Sequence, residues 1–325
     1  MTETSPESSA LIAPPAALAA GTAMTEHQQR RRGKLSKQWF VGVGFSLPLI
    51  IGLLCFSLYP VCASAYLSLT DYPIFDSPTY VGISNYRELA RDPRFWLSVG
   101  NTLSFALVAV PLGVIVGLVL ALLLNTKVRG IAFYRTMFFL PTVVPLVASC
   151  VLWNQILNPQ QGLLNEALRG LHVPEALIPG WLTSEAWAKP ALVLMSLWGA
   201  GGGMVLYLAA LQDVSQELYE AASIDGATAW HRFWHVTLPA ISPVLLYTTI
   251  TGLIGAMQYF AQAMVMTGGG PWDATLFYSL NLFNTAFTEY RLGYASAMAW
   301  VMFVLVLGLT LIVLRLSRRH VHYQT

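Results

Sequence analysis

The sequence predicts an all-α integral membrane protein, a bundle of six transmembrane helices. Three observations predict this class: 55% of the 325 residues are hydrophobic, only 10% are charged, and the apolar residues gather in six long runs. A soluble domain carries roughly a quarter charged residues, so this composition cannot cover a water-exposed surface. With 18 basic against 16 acidic residues, the chain also lacks the positive charge expected of a nucleic-acid-binding protein, and no nucleic-acid partner is predicted.

Each apolar run is long enough to cross a hydrocarbon core, which takes about 20 residues. Lipid offers the backbone no hydrogen-bond partners, so each run is predicted to be helical. The predicted spans are Trp39–Ala65, Ser98–Leu124, Ile131–Ile156, Pro190–Leu211, Val236–Tyr259 and Ala295–Leu316. Pro141 and Pro145 predict a kink in the third span, which serves either packing or a hinge motion. Gly199 and Gly201–Gly203 predict close helix packing in the fourth.

Basic residues are distributed unevenly between the two sides of this bundle. Twelve of the 18 lysines and arginines fall on the side that holds both termini. The other six are Arg87, Arg91, Arg94, Arg169, Lys189 and Arg291. Basic residues are enriched in cytoplasmic connections, so both termini are predicted to be cytoplasmic.

Residues 1–38 are predicted to form a disordered cytoplasmic tail ahead of a transmembrane domain at 39–325. The tail is rich in Ala, Pro and Ser, and its basic run, Arg30–Lys37, follows the apolar stretch instead of preceding it. That order is the reverse of a signal peptide. The basic run is therefore interpreted as an anchor to the lipid surface that also sets the orientation.

Chemistry-bearing residues are sparse elsewhere. Cys55, Cys62 and Cys150 lie within apolar runs and are predicted to be small buried side chains without disulfides. The phosphate-binding pattern G-x-x-x-x-G-K-[ST] does not occur, so the chain is not expected to hydrolyse ATP itself. No histidine pair is interpreted as a metal site, and no catalytic constellation is found.

One connection is rich in polar chemistry: residues 212–238, between the fourth and fifth spans, here named the acidic loop. It holds a quarter of all the carboxylates, namely Asp213, Glu217, Glu220 and Asp225. Ser215 is predicted to cap a first short helix, and Asp225-Gly226 to form a turn. A second short helix is predicted over Ala227–Trp234, ending before Pro239. A small-residue face between carboxylates suits docking into a groove on another protein.

The acidic loop carries a recognisable motif. The sequence EAASIDGATAWHRF at 220–233, followed by LPAISP at 238–243, looks like the EAA loop of bacterial ABC importer permeases. MTGGGP at 266–271 and AFTEYRLGYASA at 286–297 resemble the sugar branch of these permeases, of the maltose and glycerol-3-phosphate type. The resemblance runs from Trp39 to the C-terminus. It implies the fold of a type I ABC importer permease in the bacterial cytoplasmic membrane.

The resemblance also implies a mechanism and a set of partners. The coupling residues that it assigns are Glu220, Ala221, Ala222, Asp225, Gly226, Ala227 and Pro239. These would dock on one of two separate ATP-binding cassette subunits, which bind ATP and Mg²⁺. A second, different permease subunit would complete the pore, and an extracytoplasmic binding protein would deliver the solute. On this basis the chain is expected to be a transport subunit without a cofactor or catalytic site of its own.

A sugar site would need aromatic faces and amide or hydroxyl groups. Side chains of these kinds in the outer or middle parts of spans three to five are Trp153, Asn154, Gln155, Ser196, Trp198, Gln258 and Tyr259. The candidates chosen from them for the solute path are Asn154, Trp198 and Gln258. The alternatives remain open, because a Trp near a span end can anchor at the interface and an amide can join two helices. The lack of a buried Arg or Lys favours a neutral sugar over a phosphate ester.

Two other classes of function compete with an importer subunit. A carrier driven by an ion gradient would keep charges in its spans, and none of the predicted spans has a charge near its middle. A membrane-embedded enzyme would need clustered carboxylates or histidines at one interface. The clustered carboxylates here belong to the EAA-like motif.

Overall fold

The computed structural model describes residues 42–126 and 128–318, and they are predominantly helical. In chain order the elements are α1 (Gly42–Leu67), β1 (Thr70–Asp71), β2 (Thr79–Tyr80), α2 (Ser84–Arg91), α3 (Pro93–Leu124), α4 (Ile131–Val143), α5 (Leu146–Ile156), α6 (Leu163–Gly170), α7 (Glu185–Trp198), α8 (Gly201–Gln212), α9 (Gln216–Ile224), α10 (Ala229–Met257), α11 (Ala261–Met266), α12 (Tyr278–Phe287) and α13 (Leu292–Ser317). The two short strands pair antiparallel, with Thr70 opposite Tyr80.

All six predicted spans coincide with helices. Within residues 42–126 and 128–318, helices α1, α3, α10 and α13 are each long and apolar enough to cross a membrane. The bent pairs α4–α5 and α7–α8 bring the number to six if each pair is one span. The predicted tail at 1–38, and residues 39–41 of the first predicted span, lie outside the described residues.

The chain divides into two compact units after Ser64. The described part of the first unit, residues 42–64, is helical, and the most apolar window of α1 has no buried residue. Cys55 and Cys62 are exposed, contrary to prediction, as are most side chains of this described segment. Cys150, in the second unit, is buried as predicted, and all three thiols are free.

The third span was predicted as one helix, and that prediction is wrong. Helices α4 and α5 meet at an angle of 101°. The break falls at Val144, whose φ of −69° and ψ of 129° are extended. Pro145 follows, and a proline disfavours helical geometry at the residue before it. The prolines therefore break this span instead of kinking it.

The fourth span bends by 46° between α7 and α8. The break lies at Gly199 and Ala200, and α8 begins at Gly201. A Cβ on Gly201 would overlap the carbonyl of Phe138, so only glycine allows α8 to approach α4 this closely. The predicted close packing by glycine is confirmed at this position.

Two π-helical turns interrupt the long helices, and each stands just before a proline. The turn Leu54–Leu58 ends two residues before Pro60, and the turn Phe233–Thr237 ends two residues before Pro239. A proline lacks an N–H group and its ring crowds the carbonyl four residues earlier. A wider turn at that place lets the helix continue through the proline.

One core cluster of the second unit forms around α3, α8 and α10. A Cβ on Gly117 of α3 would lie 3.0 Å from the Tyr207 ring of α8, and Tyr207 is almost fully buried. Ile241 of α10 is fully buried in the same cluster.

The connections also carry helices that were not predicted. One of them, α12, buries Tyr278 and Leu280 in two further core clusters. The amide N–H of Tyr278 donates to Thr102 Oγ1 at 2.8 Å, which joins α12 to α3.

The motif at 286–297 connects distant parts of the second unit. Arg94 pairs with Glu289 at 2.7 Å and Arg291 pairs with Glu88 at 2.7 Å. The hydroxyl of Tyr294 donates to Asp92 at 2.9 Å. These contacts fix the start of α13 to α2 and to the start of α3.

Candidate functional site

The acidic loop begins with α9, which starts as predicted. The amide N–H of Glu217 donates to the side chain of Ser215 at 3.2 Å, so Ser215 is the N-cap. Glu217 lies in the first turn, where the helix dipole favours a negative charge. The predicted cap is confirmed.

Helix α9 ends in a Schellman motif at Gly226. The amide N–H of Ala227 donates to Ala222 O at 2.9 Å, and that of Gly226 donates to Ser223 O at 3.1 Å. Gly226 has φ +74° and no atom within 4 Å of an added Cβ, so backbone conformation, not space, requires glycine. The predicted turn is confirmed, and it fixes the direction in which the chain leaves α9.

The second short helix does not end before Pro239, and that prediction is wrong. Thr228 caps a helix that starts at Ala229 and continues to Met257. The π turn Phe233–Thr237 lets the helix run through Pro239, which stands in the first turn of the α-helical part beyond it. The acidic loop is therefore continuous with the fifth span.

Hydroxyl groups join α9 to α10. Arg232 Nη1 donates to Ser223 Oγ at 3.1 Å, and Ser223 in turn donates to the carbonyl of Tyr219 at 2.7 Å. The Tyr219 hydroxyl lies 2.9 Å from Thr237 Oγ1, and Thr237 is buried. Sequence analysis did not find these residues. The only signal in the sequence was that Tyr219 and Ser223, four positions apart, share one face of α9.

The predicted coupling residues surround an exposed surface. Glu220, Ala221, Asp225 and Gly226 are exposed, whereas Ala222, Ala227 and Pro239 are half-buried. No ion pair reaches Glu220 or Asp225 from any residue in 42–126 or 128–318. The side chain of Ile224, 87% exposed, stands beside them. An apolar side chain beside unpaired carboxylates is a surface that another protein can bind.

A shallow hollow lies in this surface, between α9 and the start of α10. Its volume is about 500 Å³ and its lining residues are Gln216, Tyr219, Glu220, Ser223, Ile224 and Arg232. Hydrogen bonds from Arg232 to Ser223 and from Ser223 to the Tyr219 carbonyl hold the lining residues in place.

A second concavity, the cleft, opens among α3, α7, α8 and α10. Its volume is about 390 Å³, and its lining residues carry no charge. Its polar groups are the side chains of Ser196, Tyr207, Thr248, Thr251 and Tyr259. Tyr207 and Thr248 bond to each other at 2.7 Å. Thr251 donates to its own helix, which leaves its oxygen able to accept.

None of the three residues predicted for the solute path lines the cleft. Asn154 Nδ2 donates to the carbonyl of Val265 at 3.4 Å, which joins α5 to α11. The Trp198 ring packs edge-to-face on Trp153, with centroids 6.0 Å apart. Gln258 is exposed at the end of α10, next to Tyr259. None of these contacts joins one of the three residues to another.

Several buried polar atoms near these residues have no hydrogen-bond partner in the described chain. They are Trp153 Nε1, Asn154 Oδ1 and the Tyr259 hydroxyl. Trp153 and Tyr259 belong to the same buried cluster. Buried polar groups normally have a hydrogen-bond partner, so an unpaired group is available to bond to a ligand or a water molecule.

Comparisons with known proteins identify the family to which the chain is similar. Residues 109–322 match the family described as binding-protein-dependent transport system inner membrane component. A probable ABC transporter permease of Bacillus subtilis is 36% identical over 300 residues, covering 91% of this chain and 96% of that protein. The lactose transport permease of Rhizobium radiobacter is 37% identical and covers 81% of this chain and 89% of its own length. The trehalose/maltose transport permease of Thermococcus litoralis is also 37% identical, over 84% and 92%.

The fold matches a solved structure as well. A chain from a bacterial ABC transporter that imports the acidic polysaccharide alginate superposes with a TM-score of 0.77 at 24% identity. The match covers 89% of this chain and 99% of that chain.

Proposed function

The chain belongs to the family of binding-protein-dependent transport system inner membrane components, and on that premise we propose that it moves a sugar or sugar-like solute, driven by ATPase subunits on separate chains. As a permease it is a transport subunit. ATP and Mg²⁺ are bound and used by the partner ATPase, and this chain contributes no catalytic group.

The observation that carries the proposal is the exposed surface of the acidic loop. Glu220 and Asp225 are exposed there and form no ion pair with any described residue, and the Schellman turn at Gly226 fixes Asp225 at the end of α9. The charged side chains of a docking helix can pair with a partner protein only if they are not already in ion pairs within their own chain. The small side chains of Ala221, Ala222 and Ala227 allow a partner protein to approach the backbone closely.

Pro239 has a different role in the proposal. It marks the place where the loop passes into the fifth span through the π turn Phe233–Thr237. Movement of the ATPase subunits displaces the loop, and the continuous helix α10 passes the displacement to the cleft.

The proposed solute class rests on the cleft and on the relatives. Hydroxyl and aromatic groups in an uncharged cleft suit a neutral, polyhydroxylated molecule. The unpaired atoms of Trp153, Asn154 and Tyr259 offer further donors and acceptors for hydroxyl groups. Relatives with more than 30% identity are named for lactose and for trehalose and maltose. Asn154, Trp198 and Gln258 remain candidates for the solute path.

The proposed assembly contains a second permease subunit, two ATP-binding cassette subunits and an extracytoplasmic solute-binding protein. The alginate transporter that shares this fold has been solved in complex with an alginate pentasaccharide-bound periplasmic protein. That complex supports a binding protein as the source of the solute.

The experiment compares carboxylates within one loop. The variants Asp225→Asn and Glu220→Gln remove charge at nearly constant shape, and Glu217→Gln is the matched control because its carboxylate lies in the first turn of the same helix. Each chain is expressed with its ATPase subunits, and both co-purification of the ATPase and ATP-driven sugar uptake into vesicles are measured. The first two variants are expected to lose both, and the control to keep both.

Two results would overturn the proposal. Unchanged ATPase binding by Asp225→Asn and Glu220→Gln would remove the loop from the docking surface. Uptake that persists without ATP and stops on addition of an ionophore would make the protein an ion-driven carrier.

A further inference from the structure

A further concavity, here named the inner groove, lies between α8 and α10 and adjoins the cleft. Its volume is about 700 Å³, and its lining includes Leu206, Gln212, Asp213 and Tyr247. Leu206, which is 44% exposed, also lines the cleft, so the two concavities meet at this side chain. Gln212 and Asp213 are the first residues of the acidic loop. The inner groove therefore leads from the cleft to that loop.

The exposed face of α10 is polar where a lipid-facing helix would be apolar. Tyr247 is 59% exposed near the middle of the predicted fifth span, and Thr251, one turn further along, is exposed as well. In the corresponding part of α13, residues 301–310, the exposed side chains are Phe303, Val304 and Leu307. A hydroxyl group without a hydrogen-bond partner is costly in hydrocarbon. This face of α10 therefore borders water, a polar ligand or protein, and not lipid.

The polar groups of the inner groove are not used within the described chain. The side chains of Gln212, Asp213 and Tyr247 form no hydrogen bond or ion pair with any residue in 42–126 or 128–318. An amide, a carboxylate and an aromatic ring together offer a donor, acceptors and a flat apolar face, which are the groups that bind a sugar. Asp213 is the single charged residue of the lining, so an anionic solute is repelled there.

We propose that the inner groove is a second solute site, which a neutral sugar occupies after it leaves the cleft. This inference rests on the proposed function, which puts the acidic loop on the cytoplasmic side. The sugar moves past Leu206, its ring packs on Tyr247, and its hydroxyl groups donate to Asp213 and bond to Gln212. Continuity with the cleft favours the solute over the second permease subunit as the occupant of this face. The negative charge near the exit selects a neutral sugar against a sugar phosphate.

Sequence analysis did not find this site for a structural reason. Tyr247 was counted within the apolar run of the fifth span, and Asp213 was assigned to the acidic loop. Helices α8 and α10 pack together through Leu208 and Ile241, which belong to one buried cluster. Only this packing brings Asp213 and Tyr247 to the same groove.

The test is thiol labelling in proteoliposomes that contain the complete importer. Tyr247→Cys is built in a chain whose Cys55, Cys62 and Cys150 are replaced by alanine, with partner subunits that lack cysteine. A membrane-impermeant methanethiosulfonate reagent and ATP are enclosed in the lumen, which is the cytoplasmic side of every importer that takes up solute from outside. Leu307→Cys is the matched control, because Leu307 is 47% exposed on α13 beside apolar side chains.

The reagent is expected to modify Tyr247→Cys about tenfold faster than Leu307→Cys or more, because a thiol must ionise in contact with water before it reacts. After correction for reaction with a free thiol, a cationic reagent is expected to react about fivefold faster than an anionic one. That is the ratio for one carboxylate about 8 Å away in water. Adding Asp213→Asn is expected to remove this preference. Modified Tyr247→Cys importers are expected to lose uptake of lactose, trehalose and maltose, and Leu307→Cys importers to keep it.

Three results would overturn the proposal. Absence of labelling at Tyr247→Cys would mean that lipid or the second permease subunit covers this face. Labelling that leaves sugar uptake unchanged would remove the groove from the solute path. A preference for the cationic reagent that survives Asp213→Asn would remove Asp213 from the site. Absence of ATP-driven uptake before any reagent is added contradicts the proposed function instead, and is measured in the same vesicles.

Discussion

The side-chain amide of Asn101, on α3, donates a hydrogen bond of 2.8 Å to the carbonyl oxygen of Asp273, 172 positions further along the chain. A second bond from the same amide reaches Leu276 O at 3.1 Å. The segment that it holds has an unusual backbone, with φ +50° at Trp272 and +59° at Asp273. One buried amide thus fixes a connection that local sequence preferences would not.

Replacing Asn101 by Leu is expected to lower thermal stability. The side chain is 4% exposed, and the change removes the amide donor of Leu276 O and one of the two donors of Asp273 O. An unpaired buried polar group costs about 1–3 kcal/mol. Asn281→Leu is the comparison, because Asn281 is equally buried but donates one bond of 3.3 Å to Ser98. A larger drop in melting temperature for Asn281→Leu would contradict the assignment.

Two adjacent glycines of α8 are expected to respond in opposite directions to alanine. Gly201→Ala places a methyl group against the Phe138 backbone and is expected to cost about 1–3 kcal/mol by overpacking. Gly202→Ala meets only Thr142 Cγ2, at 3.7 Å, and is expected to gain up to about 1 kcal/mol in helix propensity. Thermal unfolding in detergent measures both. Equal melting temperatures would mean that α4 and α8 do not approach closely here.

A similar contrast exists within α13. Gly293 lies against the backbone of Thr70, whereas an added Cβ on Gly308 has no atom within 4 Å. Gly293→Ala is therefore expected to push the β1 strand away, at a cost of about 1–3 kcal/mol. Faster proteolytic cleavage near Thr70, seen in Gly293→Ala and absent from Gly308→Ala, is the expected readout. Identical cleavage rates would refute the contact.

Gly226 tests the shape of the acidic loop. Its φ of +74° costs an ordinary residue about 1–2 kcal/mol, and asparagine tolerates this region better than alanine. Gly226→Ala is expected to reduce ATP-driven uptake at an unchanged membrane level of protein, and Gly226→Asn to reduce it less. The opposite order would mean that side-chain size at this position matters more than backbone conformation.

Hydropathy located the spans because a helix must bury about 20 apolar residues to cross a bilayer. Hydropathy could not locate the break at Val144, because the length of an apolar run says nothing about where the helix axis changes direction. Ser215 and Gly226 were predictable because capping and left-handed turns depend on one or two neighbouring residues.

The contacts that sequence analysis missed connect residues far apart in the chain. The pairs Arg94–Glu289 and Arg291–Glu88 explain why the segment at 286–297 carries its charged residues, but only the fold shows their partners. The link from Tyr219 to Thr237 depends on α10 beginning at Ala229, which the predicted stop before Pro239 concealed.

Because α10 begins at Ala229, it is one long helix that joins the acidic loop to the cleft. Its 29 residues make a rod about 43 Å long. The end capped by Thr228 follows the turn at Gly226, and Thr248 and Thr251 lie on the same rod within the cleft wall. The helix is unbroken between the two places, so in the proposed mechanism a displacement of the Thr228 end reaches the cleft wall directly, without passing through a second element.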